Sequence, residues 1–201
     1  MVRNAQQQTE QRFGNVNGML TMRFRDPEPN FKRSNVFGRI IQLFRLKESR
    51  YARALEKIAG NKLFTIVVLN EVVAKLLLSR KCFDSHVMIF PDSQMSIPRI
   101  DARQAEAVEQ QTRGRAKLAL NLIEFDPRAE RSMRHLFGGT FVCEDSNVAK
   151  QVAFDTYKFR CVTLEGDVFD PSGMLSGGAD DGRPSFIDKF MRFRSAQEEI
   201  S

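Results

Sequence analysis

At 201 residues, with 42% hydrophobic and 28% charged side chains, the chain has ordinary globular composition and enough length for one sizeable domain or two small ones. No apolar run approaches the roughly 20 residues that a bilayer span needs, and the opening Met-Val-Arg-Asn-Ala-Gln-Gln-Gln lacks a signal peptide's apolar segment; a soluble, intracellular chain with no membrane partner is expected. The net charge of +6 is uneven, because residues 1–60 carry twelve Lys/Arg against five Asp/Glu while the remainder sums to −1. The basic half is therefore the candidate for a polyanion surface.

The first 13 residues are Gln-rich and helix-permissive, and the stretch from Gly14 to Asn35, with its Asp26-Pro27-Glu28-Pro29 turn signal, interrupts them. Tyr51, Leu55 and Ile58 share one face of a helix that Gly60 stops, and the β-rich run Leu63 to Leu69 follows. Asn70 then caps a helix to Arg80. His86 to Phe90 reads as a strand ended by Pro91, and residues 101–115 as a polar connecting segment with helical leanings.

A second passage repeats the plan. Asp126-Pro127 opens a helix with Met133, Leu136 and Phe137 on its apolar face, Gly138-Gly139 ends it, and Thr140 to Cys143 is strand-like. Asp145 or Ser146 opens the next helix, and the tripeptide Val-Ala-Lys recurs at 73–75 and 148–150, which points to two related subdomains. Cys161 to Leu164 and Val168-Phe169 flank Glu165-Gly166-Asp167, a hairpin signal. Phe186, Phe190, Phe193 and Ile200 then form a heptad-like stripe on a final helix. Helices at both ends of a globular body suggest the stubs of two coiled-coil arms; an amphipathic helix packed on its own core is the other reading of the stripe.

Catalytic and metal chemistry find no support. Cys82, Cys143 and Cys161 are dispersed, His86 and His135 lie 49 residues apart, and no G-x-S-x-G, H-E-x-x-H or G-x-x-x-x-G-K-[ST] pattern occurs. Leu175-Ser-Gly-Gly178 is similar to an ABC-type signature and Thr65 to Glu71 to a Walker B strand, but both are incomplete, with Asn70 at the magnesium-binding position.

The most informative stretch is Val162-Thr-Leu-Glu-Gly-Asp-Val-Phe-Asp-Pro-Ser-Gly-Met-Leu-Ser-Gly-Gly178. It resembles the motif of SMC (structural maintenance of chromosomes) hinge domains, in which a strand pair leads into Asp-Pro-x-Gly-x-Leu-Ser/Thr-Gly-Gly, and Gly166 to Pro171 is nearest to condensin's type-two subunits. Val36-Phe37-Gly38 with Tyr51, Ala54-Leu55-Glu56 and Gly60, then Ile89-Phe90-Pro91, then Phe137 to Cys143 resemble the rest of that hinge, over residues 16–180 in all. Met174, where Thr is common, and Ser172, where His is frequent, depart from it.

The resemblance implies an α+β fold of two pseudo-repeated subdomains with small mixed sheets and packed helices, with coiled-coil stubs at 1–18 and 183–201, subdomains at 19–100 and 116–182, and a connector at 101–115. It implies no catalytic residue, metal or cofactor in this part, ATP and magnesium belonging to the parent protein's heads. It implies pairing with the hinge of a second SMC subunit, condensin's type-four subunit or a second copy, through Phe169, Gly173, Met174, Leu175, Ser176, Gly177 and Gly178. Glycines there would let another chain's backbone come close. DNA, single strands included, is the second implied partner, and Arg23, Arg25, Lys32, Arg33, Arg39, Arg45, Lys47 and Arg50, interleaved with phenylalanines, are the candidate contacts. A chromosome-associated protein of nucleus and cytoplasm is expected. A hinge of another or homodimeric SMC protein, or a stand-alone basic nucleic-acid-binding domain, are the alternatives.

Overall fold

A computed structural model describes residues 22–98, 100–177 and 184–200, with residues 199 and 200 described by backbone alone. The N-terminal stub at 1–18, Gly178 and the Ile200 side chain lie outside what is described.

The chain builds one supersecondary unit twice. The first copy runs β1 (Val36–Arg39), β2 (Phe44–Leu46), α1 (Ala52–Ala59), β3 (Ile66–Val68), α2 (Glu71–Ser79) and β4 (Ile89–Pro91). Helix α3 (Ala102–Gln111) connects it to the second, which runs β5 (Ala116–Leu118), β6 (Ile123–Phe125), α4 (Glu130–Phe137), β7 (Thr140–Cys143), α5 (Ser146–Lys150) and β8 (Arg160–Thr163). The second copy continues into β9 (Val168–Phe169) and β10 (Leu175–Ser176), and α6 (Phe186–Ile200) closes the chain.

In each copy the first strand pairs antiparallel with the third (β1 with β3, β5 with β7) and the third pairs parallel with the fourth (β3 with β4, β7 with β8). The result is a three-stranded sheet, β1-β3-β4, and a five-stranded sheet, β10-β9-β8-β7-β5. Strands β2 and β6 leave their own sheets and pair with each other, Phe44 opposite Phe125 and Leu46 opposite Ile123, joining the copies. The expected α+β architecture with small mixed sheets is thus present, and the repeat hinted at by Val-Ala-Lys extends to the whole unit.

Local chemistry explains the boundaries. Gly60 ends α1 with φ at +52°, a conformation that costs other residues a Cβ clash. Asn70 Oδ1 accepts from Val73 N (3.1 Å) and Asp145 Oδ1 from Val148 N (3.0 Å), the same cap at the same place in both copies. Asp101 and Gln104 cap α3 reciprocally. One cap is remote in sequence: buried Asp92 accepts from Ser132 N (2.8 Å) in the first turn of α4, 40 residues away. The β-rich run before Asn70 yields only three strand residues, because Gly60–Phe64 turns as a 3₁₀ helix that drops Leu63 into the core.

Both faces of the sheets are covered, and strand alternation sorts the side chains. Val67, Val142, Val162 and Val168 face a central core shared by the copies; Ile66 and Val68, or Phe141, Cys143, Cys161 and Phe169, face a satellite core under α2 or α5. Phe44 of the first copy meets Phe137 of the second edge to face at 5.4 Å, both fully buried. The first two turns of α6 join this centre, with Ile187, Phe190 and Phe193 buried and Phe186 against Phe64 (5.2 Å). That part of the heptad-like stripe is used within the chain, and Ile187, outside the stripe, is more buried than Phe190 or Phe193 within it.

Candidate dimerisation edge and nucleic-acid surface

The second sheet ends in two tight turns. Gly166, at φ +98°, closes the first between β8 and β9, where Gly166 N donates to Thr163 O and Asp167 N to Thr163 Oγ1, each at 3.0 Å. Asp170-Pro171-Ser172-Gly173 makes the second. Ser172 donates to Asp170 Oδ1 through both Oγ (2.6 Å) and N (3.0 Å), and these bonds, with Arg160 beyond them, hold the Asp170 carboxyl below the usual carboxylate range. Gly173 at φ +93° donates to Asp170 O and lets the chain reverse into β10.

Among the described residues strand β10 pairs with β9 alone, Leu175 opposite Phe169 and Ser176 opposite Val168, so its outer edge ends the sheet. Residues 171–177 are exposed, with Met174 63% and Leu175 59% accessible. Isolated exposed Leu and Met are ordinary, but two in succession on an unpaired strand edge invite pairing. Gly177 also has a role inside its own chain: a Cβ there would come within 1.9 Å of Asp167 Oδ1. Phe169 requires correction as an edge residue, because it points into the satellite core at 6% exposure beside Phe154 (6.2 Å) and supports the edge from beneath.

The eight candidate basic residues separate into two groups and one outlier. Arg23, Arg25, Lys32 and Arg33 are exposed chain neighbours of the packed Phe24 and Phe31, with Arg33 4.8 Å above the Phe24 ring and paired with Asp26 at 2.8 Å. Phe24 packs on Phe31 (6.3 Å) and Phe83 (5.9 Å). Arg25 N donates to Cys82 O and its guanidinium to Lys81 O, which brings exposed Arg80 and Lys81 into the same patch. Nothing local in the sequence signals this addition across 56 residues.

Arg45, Lys47 and Arg50 lie on the β2 side of the fold. Arg45 grips Glu198 of α6 with both terminal nitrogens, and Arg194 bonds the same carboxylate, so the Glu198 carboxyl sits below its ordinary range, chiefly through the Arg45 bond. Arg50 is engaged by Tyr51 Oη (2.6 Å) and Glu48 (3.0 Å). Arg39 belongs to neither group: half-buried, it donates to Phe64 O (2.6 Å), and burial lowers its pKa. Its contact is structural, which corrects its place among the surface candidates.

Among the described residues no cluster of His, Cys, Asp or Glu is arranged to hold a metal. The three cysteines are buried and unpaired, and Cys161 is pushed far up by its bond with Cys143 and by burial, so it offers no thiolate.

Residues 33–153 match the family described as "SMC proteins Flexible Hinge Domain", and the chain belongs to that family. The hinge is a non-catalytic part of such proteins. The chain is 39% identical over 184 residues to "Structural maintenance of chromosomes protein 2" of Homo sapiens and 34% identical over 184 residues to the protein of that name in Saccharomyces cerevisiae. Each match takes in 90% of this chain, which spans only 15% and 16% of those relatives. The asymmetric dimer of the Geobacillus stearothermophilus SMC hinge domain superposes with a TM-score of 0.71 at 23% identity, covering 99% of this chain and 82% of that one. The Pyrococcus furiosus SMC hinge domain gives 0.57 at 24%, covering 88% and 86%. These likenesses agree on the fold.

Proposed function

We propose that the chain is the dimerisation hinge of a type-two condensin SMC subunit and that it pairs with the hinge of the type-four subunit in chromosome condensation. The observation that carries this reading is a pair of unlike sheet edges. In the second copy β8 is followed by β9 and β10, whereas among the described residues the equivalent β4 of the first copy ends its sheet with β3 as its one neighbour. Among the described residues nothing fills on β4 the lane that β9 fills on β8, and β10 presents an outer edge with no strand beside it. Most of the exposed large apolar side chains flank these two places: Leu69, Val72 and Met88 near β3, α2 and β4, and Leu175 on β10 with Met174 just before it. Two related hinges exchanging β10 for β4 would close a ring with two contacts.

Mixing the chain with a type-four hinge should give a 1:1 complex by light scattering, and Met174→Lys with Leu175→Lys should abolish it without altering the monomer's melting. These side chains are exposed, so the double variant reports pairing; Gly177→Glu would instead clash with Asp167 inside its own chain. A wild-type chain that remains monomeric with the partner present defeats the proposal. Self-association to the same mass without a partner would favour the homodimeric alternative. On this reading the protein is chromosome-associated, and ATP and magnesium act at heads elsewhere in the parent.

DNA contact is the second proposed role, supported by the patch of Arg23, Arg25, Lys32, Arg33, Arg80 and Lys81 around a phenylalanine cluster. Each phosphate contact to single strands adds about 0.7 to the salt dependence of binding. Arg80→Ala with Lys81→Ala should therefore flatten the log-log slope by about 1.4 in an oligothymidylate titration. An unchanged slope removes those two residues, and absence of binding at low salt removes DNA.

A further inference from the structure

In the second basic group, the arginine of β2 is occupied by a carboxylate that comes from 153 residues away. Arg45 holds Glu198 as a fork, Nη1 on Oε2 at 3.1 Å and Nη2 on Oε1, and Arg194 reaches the same Oε1 through Nε at 3.4 Å. A guanidinium takes two oxygens of a phosphate with the same fork. The bridge is also open to competition: Arg45 is 45% and Glu198 49% exposed, and an exposed ion pair contributes little that a competing anion must overcome.

What Glu198 would leave behind is already in place. Arg194 Nη1 donates to Gln42 O (3.4 Å) and Phe44 O (3.5 Å), so its guanidinium stays against β2 when the carboxylate departs. Lys47 is exposed two residues after Arg45, on the same side of an extended chain and about 6.8 Å along it. Glu124, opposite Arg45 on β6, is present in either state, so it weakens the attraction for anions without masking the arginine.

We infer that Arg45, Lys47 and Arg194 form a second site for the phosphodiester backbone of a DNA strand, and that Glu198 is its autoinhibitory occupant, displaced when the strand binds. The inference rests on the DNA role proposed above and adds its regulation. Carboxylate and phosphate exclude one another because both need the same two nitrogens of Arg45. A strand that lays successive phosphates across Arg45 and Lys47 gains contacts that a single carboxylate cannot supply. Displacement also unties the outer turns of α6 from β2. By linkage, DNA then loosens α6, and whatever loosens α6 strengthens the hold on DNA.

The test is an oligothymidylate titration of the whole chain by fluorescence anisotropy across a salt series. Glu198→Gln should bind more tightly at low salt and steepen the log-log slope by about 0.7, the gain of one phosphate contact. Asp155→Asn removes one exposed negative charge between α5 and β8 and should give less than half of that change. Adding Arg45→Ala to Glu198→Gln should cancel the gain. Saturating oligothymidylate should also speed amide exchange in the outer turns of wild-type α6. A Glu198→Gln variant that matches Asp155→Asn, a gain that survives Arg45→Ala, or α6 exchange unmoved by bound DNA overturns the inference. Those outcomes leave DNA contact through Arg80 and Lys81 standing, whereas absence of binding by every variant removes both.

Discussion

The first copy stops at β4 and the second runs on past the equivalent β8 into β9 and β10, although the two are otherwise built element for element. What they share is what makes the unit fold: the antiparallel and parallel pairings, the strand that leaves to join its counterpart, and the Asn70 or Asp145 cap. What they do not share lies at the rim. Shifted by the 75 residues that relate the two caps, Leu69 and Val72 of the first copy become Glu144 and Asn147 of the second, positions exposed in both. The two copies share a frame, but one carries an extra strand pair and the other exposes apolar side chains, a difference that the proposed pairing would use as a giving and a receiving edge.

The contact that holds the copies together should be the most costly to break. Phe137→Ala empties the centre of the shared core against Phe44, and a fully buried Phe→Ala costs about 3–5 kcal/mol; chemical denaturation should show this as an early, cooperative loss of both halves. If only the second half melts, the copies are independent domains. The rim supplies the next largest effect. Leu69→Glu with Val72→Asn gives the first copy the second copy's surface, so the monomer should stay within about 0.5 kcal/mol while affinity for a type-four hinge falls at least tenfold, about 1.4 kcal/mol. Undiminished affinity would take these two residues out of the receiving edge.

The caps sharpen the comparison further. Asn70→Ala should cost about 1 kcal/mol, as removal of a helix cap usually does. Asp145 accepts from both Asn147 N and Val148 N and pairs with Arg115, so Asp145→Ala should destabilise at least as much, and only its effect should fade in acid. Its carboxyl is held below the ordinary range, first by Val148 N, so the contribution is present above that range and lost as pH falls through the lowered folded value. Parallel urea melts of the two variants at neutral and acidic pH provide the check.

The frame was legible because it is written locally. Turn glycines, Asx caps and alternating β-rich runs each act within a few residues, so Gly60, Asn70, Asp126 and the Gly166 hairpin could be read without a structure. Contacts closed by the tertiary fold could not. Asp92 caps α4 from 40 residues away, Lys81 accepts from Arg25 across 56, and β2 finds β6 across 79. The basic stretch shows the same limit: charge is visible in sequence, but its partners are not, and Arg39, Arg45 and Arg50 prove to be held by Phe64, Glu198 and Tyr51. Phe169 lies beneath the edge and not on it because both faces of the sheet are covered at β9, where Val168 enters the central core and Phe169 the satellite core, and that double cover is made by elements distant in sequence.

The smallest expected effect concerns where α6 leaves the body. Arg45 and Arg194 share Glu198, tying the outer part of α6 back to β2, while Ile187, Phe190 and Phe193 fix its base. The bridge is exposed, so salt screens it and it adds little to global stability. Its sign with pH is nonetheless determined. The Glu198 carboxyl titrates below its ordinary value, so the bridge is complete above that value, weakens as pH drops through the lowered one, and is absent once the group is protonated. Glu198→Gln should therefore speed amide exchange in the last turns of α6 at neutral pH and low salt, with the difference from wild type vanishing both in acid and at high salt. A difference that survives protonation would mean that side-chain packing, not charge, sets the angle at which the helix departs; one that disappears would leave that angle open to any polyanion able to compete with Glu198 for Arg45.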